Sequence, residues 1–213
     1  MVLVAGLPEP IMIERILAFA FCTVFRILTG ARATWRGTQP ETRARVYYAN
    51  HRSHGDFILI WAILPSALRA VTRPVAAADY WLAGSFRRYL IKHVFRGLLI
   101  ERHVKRGDDP IGAMYEAIEA GESLIVFPEG TRGNTALPFK PGIHHLAKKR
   151  PETEFVPIWI ENLGRALPKG GIMVVPLLCT VTVGTPVTLE PGESRADFIA
   201  RCQDALLALQ PPE

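Results

Sequence analysis

Cysteine is nearly absent. Cys22, Cys179 and Cys202 are three in number and far apart, which excludes a disulfide framework and a Cys-x-x-Cys metal site and points to a reducing compartment. The first ten residues hold no Lys or Arg, so the positive lead of a secretory signal peptide is missing and export is not expected. A long uninterrupted apolar run is missing too. The stretch IMIERILAFAFCTVFRILT, from Ile11 to Thr29, is broken by Glu14, Arg15 and Arg26, whereas a simple membrane span needs about 20 apolar residues in succession. No Gly-x-Ser-x-Gly elbow marks a nucleophilic serine. Internal repeats and low-complexity tracts are also lacking.

What is present is the composition of one globular domain. The 213 residues are 49% hydrophobic and 21% charged, enough chain to bury a core. Lys and Arg number 25 against 20 Asp and Glu, an excess of +5. Such an excess fits nucleic acid, an anionic membrane surface or a phosphorylated substrate. Its distribution is uneven: from Arg69 to Arg106 only Asp79 and Glu101 oppose a run of cations, so this segment alone exceeds the balance of the whole chain. Tyr80, Trp81, Phe86, Tyr89 and Phe95 are interleaved with it. Snorkelling cations beside interfacial aromatic rings suit a lipid headgroup layer, although a solvated helix with an apolar inner face has the same composition. No nucleic-acid-binding motif accompanies the charge, and no nucleic-acid partner is expected.

Ile11–Thr29 reads as a helix. Glu14, Arg15, Ala18, Cys22, Arg26 and Thr29 gather within an arc of about 120° at 100° per residue, and the other faces are almost wholly apolar. Such a helix can lie in a membrane interface with its wide face buried, or it can cover the protein's own core. Gly30, Gly37 and Pro40 then form a turn-rich connector. The chain is therefore divided into a membrane-associating helix and connector over residues 1–34 and a main, catalytic body over 35–213.

In that body, strands are predicted over Ala44–Asn50, Val71–Ala77, Gly97–Ile100, Ser123–Phe127, Glu154–Ile160 and Val174–Val187. The last has an internal Pro176, which suits an edge strand or a break. Helical patterns cover Phe57–Leu64, Ser85–Phe95, Pro110–Ala120, Gly142–Lys149 and Ala196–Leu209. The alternation specifies an α/β fold, a single domain with a largely parallel central sheet flanked by helices. Ligands of such sheets bind beyond the carboxyl ends of the strands, where two polar clusters follow predicted strands.

The first is Asn50-His51-Arg52-Ser53-His54-Gly55-Asp56. A neutral imidazole can take a proton from a hydroxyl near pH 7, and a carboxylate on its other nitrogen fixes the tautomer. His51 and Asp56 have the spacing for this if the turn folds the aspartate back at the start of the next helix. With no serine or cysteine marked as nucleophile, direct attack by a substrate hydroxyl follows. Two other readings stay open. Asp56 can cap the helix beside an ordinary loop histidine, or His51, His54 and Asp56 can be metal ligands, completed by His144 or His145, in a metal-dependent hydrolase.

The second is Phe127-Pro128-Glu129-Gly130-Thr131-Arg132. Glycine permits close backbone approach, threonine offers a hydroxyl, and arginine supplies a bidentate fork for phosphate. Glu129 is the odd member, since it would repel a phosphate unless it pairs with a neighbouring arginine. The same string also makes a good turn with a surface ion pair.

Taken together, NHRSHGD and, downstream, FPEGTR resemble the glycerolipid acyltransferase family, in particular its bacterial 1-acyl-glycerol-3-phosphate acyltransferases. Gly97-Leu98-Leu99-Ile100-Glu101-Arg102 is similar to the family's second block, and Phe155-Val156-Pro157-Ile158 to its fourth. Phe139-Lys140-Pro141-Gly142 sits where the family often has a lysine and a glycine. Glu101 stands where many members have Asp, and one N-terminal helix replaces an obvious pair.

The resemblance implies an O-acyltransferase of phospholipid biosynthesis. His51 would be the general base that deprotonates the free hydroxyl of a lysophospholipid, by family default 1-acyl-glycerol-3-phosphate, and Asp56 would orient it. The oxygen would attack the thioester of acyl-CoA or an acyl-carrier protein and yield phosphatidic acid. Arg102, Glu129, Gly130, Thr131 and Arg132 would hold the glycerol phosphate, and a backbone amide or Asn50 the oxyanion. No metal and no cofactor beyond the acyl donor are implied. The expected partner is a phospholipid membrane, and the expected location is the cytoplasmic face of the inner membrane. Another lysolipid acceptor, selected by Glu161–Gly170, and a catalytically silent membrane-binding module are the competing readings.

Overall fold

Five successive residues with no solvent exposure, Arg45–Ala49, form the strand on which the fold is centred. The computed structural model describes residues 11–53, 55–101, 109–133, 137–163 and 178–211. In chain order the elements are α1 (Met12–Thr29), β1 (Arg32–Trp35), β2 (Arg45–Ala49), α2 (Asp56–Ile63), α3 (Ser66–Ala70), β3 (Thr72–Ala77), α4 (Ala78–Trp81) and α5 (Ser85–Tyr89). A π-helical turn, Leu90–Val94, continues α5. Then come β4 (Leu98–Ile100), α6 (Pro110–Glu119), β5 (Ser123–Val126), α7 (Gly142–Lys149), β6 (Glu154–Glu161), β7 (Thr180–Val183) and α8 (Arg195–Leu207). The strands form one seven-stranded sheet in the order β1-β7-β6-β2-β5-β3-β4. Neighbours are parallel except β6 and β7, which run antiparallel.

Side-chain alternation in the interior strands builds two apolar layers. Tyr47 and Ala49 of β2, Ile125 of β5 and Val156, Ile158 and Ile160 of β6 meet α2, the π-helical turn and the inner side of α1. Val46, Tyr48, Leu124, Val126, Phe155 and Trp159 point the other way, toward α6, α7 and α8. The result is a sheet covered by helices on both faces, the α/β architecture expected.

Three elements differ from the sequence reading. The stretch taken as a connector carries a strand, β1, paired in parallel with β7 through Arg32–Trp35 and Thr180–Val183. The strand expected over Val174–Val187 is described from Leu178 onward, and Pro176 lies outside the described residues. Within the described part, β7 is an interior strand between β1 and β6, not an edge. The helix expected over Ser85–Phe95 is a short α-helix that widens into the π-helical turn.

In α1 part of the arc read as its polar stripe faces the protein, while Arg15 and Arg26 are exposed. Glu14, Cys22 and Thr29 are buried, Glu14 Oε1 lies 3.2 Å from His93 Nδ1, and the Phe21 ring meets Phe95 edge-on at 5.7 Å. The opposite face, with Met12, Ile13, Ile16, Phe19, Val24 and Ile27, is exposed. No helix among the described residues is long and apolar enough to cross a membrane.

Candidate active site

Where β2 ends, Asn50 fixes the exit of the chain. Its Nδ2 donates to the Ile160 carbonyl at 2.9 Å, and its Oδ1 accepts from the Ile160 amide at 2.8 Å. Both polar ends of the amide are thus bonded to β6, which gives Asn50 a structural role. The chain then turns so that Asp56, at the start of α2, folds back. Its Oδ2 accepts from the main-chain amides of Arg52 at 2.7 Å and Ser53 at 2.8 Å and lies 2.8 Å from His51 Nδ1. Asp56 is 1% exposed, and such charge-assisted bonds contribute about 1.5–3 kcal/mol each against the cost of burying the carboxylate. Its Oδ1 has no hydrogen-bond partner among the described residues.

This geometry selects the tautomer of His51. With Nδ1–H donated to Asp56, Nε2 is the nitrogen left to accept a proton. The ring is stacked on Phe127, centroid to centroid 4.1 Å and 20° from parallel, which sets its orientation from the second loop. The loops are tied again where the Gly133 amide donates to the His51 carbonyl at 3.1 Å.

His51 opens on a cavity of about 230 Å³. Its wall is largely apolar, from Val75, Ala76, Trp81, Ile100, Met114 and Ile143 among others, while Gly130, Arg132 and Lys140 also line it. No Asp or Glu among the described residues lines it. Gly130 sits at φ +69°, in the left-handed region that favours glycine.

The second cluster therefore divides. Gly130 and Arg132 reach the cavity; Thr131 is exposed and is not among the residues lining it. Glu129 is 5% exposed and faces a separate, smaller space beside Asn50, Arg52 and Trp159. Glu129 thus does not line the cavity that Arg132 lines. Burial pushes the Glu129 carboxyl up to about 7, against the pull of the Arg52 guanidinium and of the main-chain amides of His51 and Leu137.

Arg102 and His54 lie outside the described residues. His144 and His145 are on α7, with the His144 ring 6.1 Å from Phe198 of α8, on the side of the sheet where Tyr48 and Phe155 point. No three His, Cys, Asp or Glu side chains gather among the described residues in a way that could hold a metal ion. Lys140 was missed as a site residue in the sequence. The available signal was its place in Phe139-Lys140-Pro141-Gly142, directly before α7.

Fold and site together define an α/β protein with a histidine–aspartate pair at the carboxyl edge of its sheet, opening on an apolar cavity rimmed by cations. The Acyltransferase family model matches residues 33–161, more than half of the chain, and the chain belongs to that family. It is similar to the 1-acyl-sn-glycerol-3-phosphate acyltransferase of Limnanthes alba, 30% identical over 161 residues that cover 73% of this chain and 54% of the relative. The protein of the same name from Helicobacter pylori is 31% identical over 140 residues, 60% of this chain and 53% of the relative. The chain thus spans about half the length of the curated relatives it matches. In fold it resembles the crystal structure of the 1-acyl-sn-glycerophosphate (LPA) acyltransferase PlsC from Thermotoga maritima. That likeness has a TM-score of 0.71 and 19% identity, and covers 94% of this chain and 83% of the other.

Proposed function

We propose that this protein transfers a fatty acyl group from acyl-CoA or an acyl-carrier protein to the free hydroxyl of a lysophospholipid, with 1-acyl-sn-glycerol-3-phosphate as acceptor. One observation carries the reading. The Asp56-bound His51 faces a cavity that joins an apolar wall to cations and has no acid among its described lining residues. His51 Nε2 takes the proton of the acceptor hydroxyl, and Asp56 stabilises the imidazolium that forms. The hydroxyl oxygen bonds to the thioester carbonyl carbon, the carbon–sulfur bond breaks, and the thiolate leaves with the proton from His51. Arg132 holds the acceptor phosphate, and Arg102 joins it by the family resemblance. The reaction uses no cofactor beyond the acyl donor. The names of the relatives support the acceptor.

The exposed apolar face of α1 supports attachment to a phospholipid membrane, with the helix lying in the interface rather than crossing it. We place the protein at the cytoplasmic face of the inner membrane, where acyl thioesters are available.

The test is an assay of purified protein with lysophosphatidate and labelled acyl thioester. His51→Ala should lower turnover by about 10²–10⁴ or more with an unchanged circular dichroism spectrum. Near-normal turnover in the folded variant would overturn the mechanism.

A further inference from the structure

A cavity built to receive a phosphate should hold cations that the fold leaves uncompensated, and here two stand together. Arg132 Nη1 is buried with no hydrogen-bond partner among the described residues. Lys140 lines the same cavity. Lys149, at the end of α7, pairs with Asp109 at 3.5 Å, whereas Lys140, just before that helix, has no ion-pair partner among the described residues. The nearby acids are directed elsewhere: Asp56 is committed behind His51, and Glu129 faces the neighbouring space with Arg52.

The path of the lysine is set by its neighbours. Phe139 is buried edge-on to Tyr48 at 6.0 Å, and the Lys140 amide donates to the Pro128 carbonyl at 2.8 Å. This lays the side chain across Gly130. A Cβ on that glycine would meet Lys140 Nζ at 2.5 Å and Cε at 2.6 Å. Any side chain at position 130 would therefore push the ammonium out of its place.

We propose that Lys140 is a second cation for the phosphate of the acceptor, acting beside Arg132, and that its path over position 130 adds to the left-handed backbone in excluding a side chain there. The proposal rests on reading the cavity as an acceptor site. A phosphate monoester carries roughly −1.5 to −2 at pH 7, more than one guanidinium offsets. The arginine fork fixes the orientation of the group, and the ammonium supplies the remaining charge as a point. Acyl donors also carry phosphates, so the two substrates must be titrated separately.

The experiment measures steady-state kinetics of wild type, Lys140→Met, Lys140→Arg, Gly130→Ala and the Gly130→Ala/Lys140→Met double variant, with lysophosphatidate and acyl-CoA varied in turn. Lys140→Met should raise the acceptor KM about tenfold or more and leave kcat and the donor KM near wild type, and Lys140→Arg should recover most of the loss. Gly130→Ala should raise the acceptor KM more in the wild-type background than in the Lys140→Met background, because the left-handed backbone strain is common to both while the clash with the lysine is not. An unchanged acceptor KM in Lys140→Met, or a rise confined to the donor KM, overturns the proposal. An equal Gly130→Ala penalty in both backgrounds overturns the role assigned to the glycine. Calorimetric titration with glycerol 3-phosphate needs no turnover. Binding that weakens in Lys140→Met supports the phosphate site even if wild type transfers no acyl group, and equal binding by both proteins overturns it.

Discussion

Glu129 shows at the scale of one residue how burial turns a charged side chain into a pH-dependent liability. Its carboxyl is raised from 4.5 to about 7 in the folded protein. Between those values the folded chain keeps a proton that the unfolded chain has released, so this group's contribution to stability falls as pH rises through that window. Glu129→Gln has no such dependence. Its melting temperature relative to wild type should therefore be higher at pH 8 than at pH 5, by an amount worth at most on the order of 3 kcal/mol. A difference between the two proteins that does not move with pH would mean that the carboxyl is not held out of water. The same scale separates what could be read in the sequence from what could not. His51 and Asp56 were legible because a four-residue spacing leading into a helix confines them to each other's reach. Glu129 and Arg132 are just as close in sequence. They part because the left-handed Gly130 reverses the chain between them, and the composition of the string does not announce that. Asn50 reads differently in the structure: the polar amide beside the histidine–aspartate pair is bonded to β6 through both its ends.

At the scale of elements, the amphipathic pattern of α1 was legible in the sequence, and which of its faces meets the protein was left open there. The stripe of Glu14, Cys22 and Thr29 packs inward, and the wide apolar surface is left outside, with Phe19 71% and Ile27 75% exposed. Because these two side chains make little of the core, Phe19→Glu with Ile27→Glu should leave the melting temperature almost unchanged. It should lower cosedimentation with phospholipid vesicles by tenfold or more, since burial of each large apolar side chain contributes about 1.5–3 kcal/mol. Equal vesicle binding by the double variant and wild type would remove α1 from the attachment surface. The strand β1 was illegible for a related reason. Arg-Ala-Thr-Trp is short, lies between glycines and is only half-buried, so its identity comes from the pairing partner β7 and not from its own alternation. By contrast, β2, β5 and β6 carry apolar side chains to both faces of the sheet and announced themselves.

At the scale of the whole molecule, the parallel arrangement was legible from alternation, but not the order of strands. β2 lies between β5 and β6, so the two site loops leave adjacent strands although residues from β3 and β4 intervene in the chain. The interior strands are covered on both faces, and their amides should exchange with solvent only through global unfolding, while β1 and β4 at the edges exchange faster. Hydrogen exchange read by mass spectrometry checks this, and early exchange in β2 would contradict the layer packing. The order also has a consequence in time. Arg45 at the start of β2 is bonded to Ser123 and Glu154, 78 and 109 residues farther along the chain. At about 5–20 residues per second, a ribosome needs roughly 5–20 s to make the partners that hold β2 in register. Throughout that interval α1 is already made, so its apolar face is exposed while His51 and Asp56 still lack a sheet to stand on, and under the proposed attachment the nascent chain can meet a bilayer before it can act on anything there.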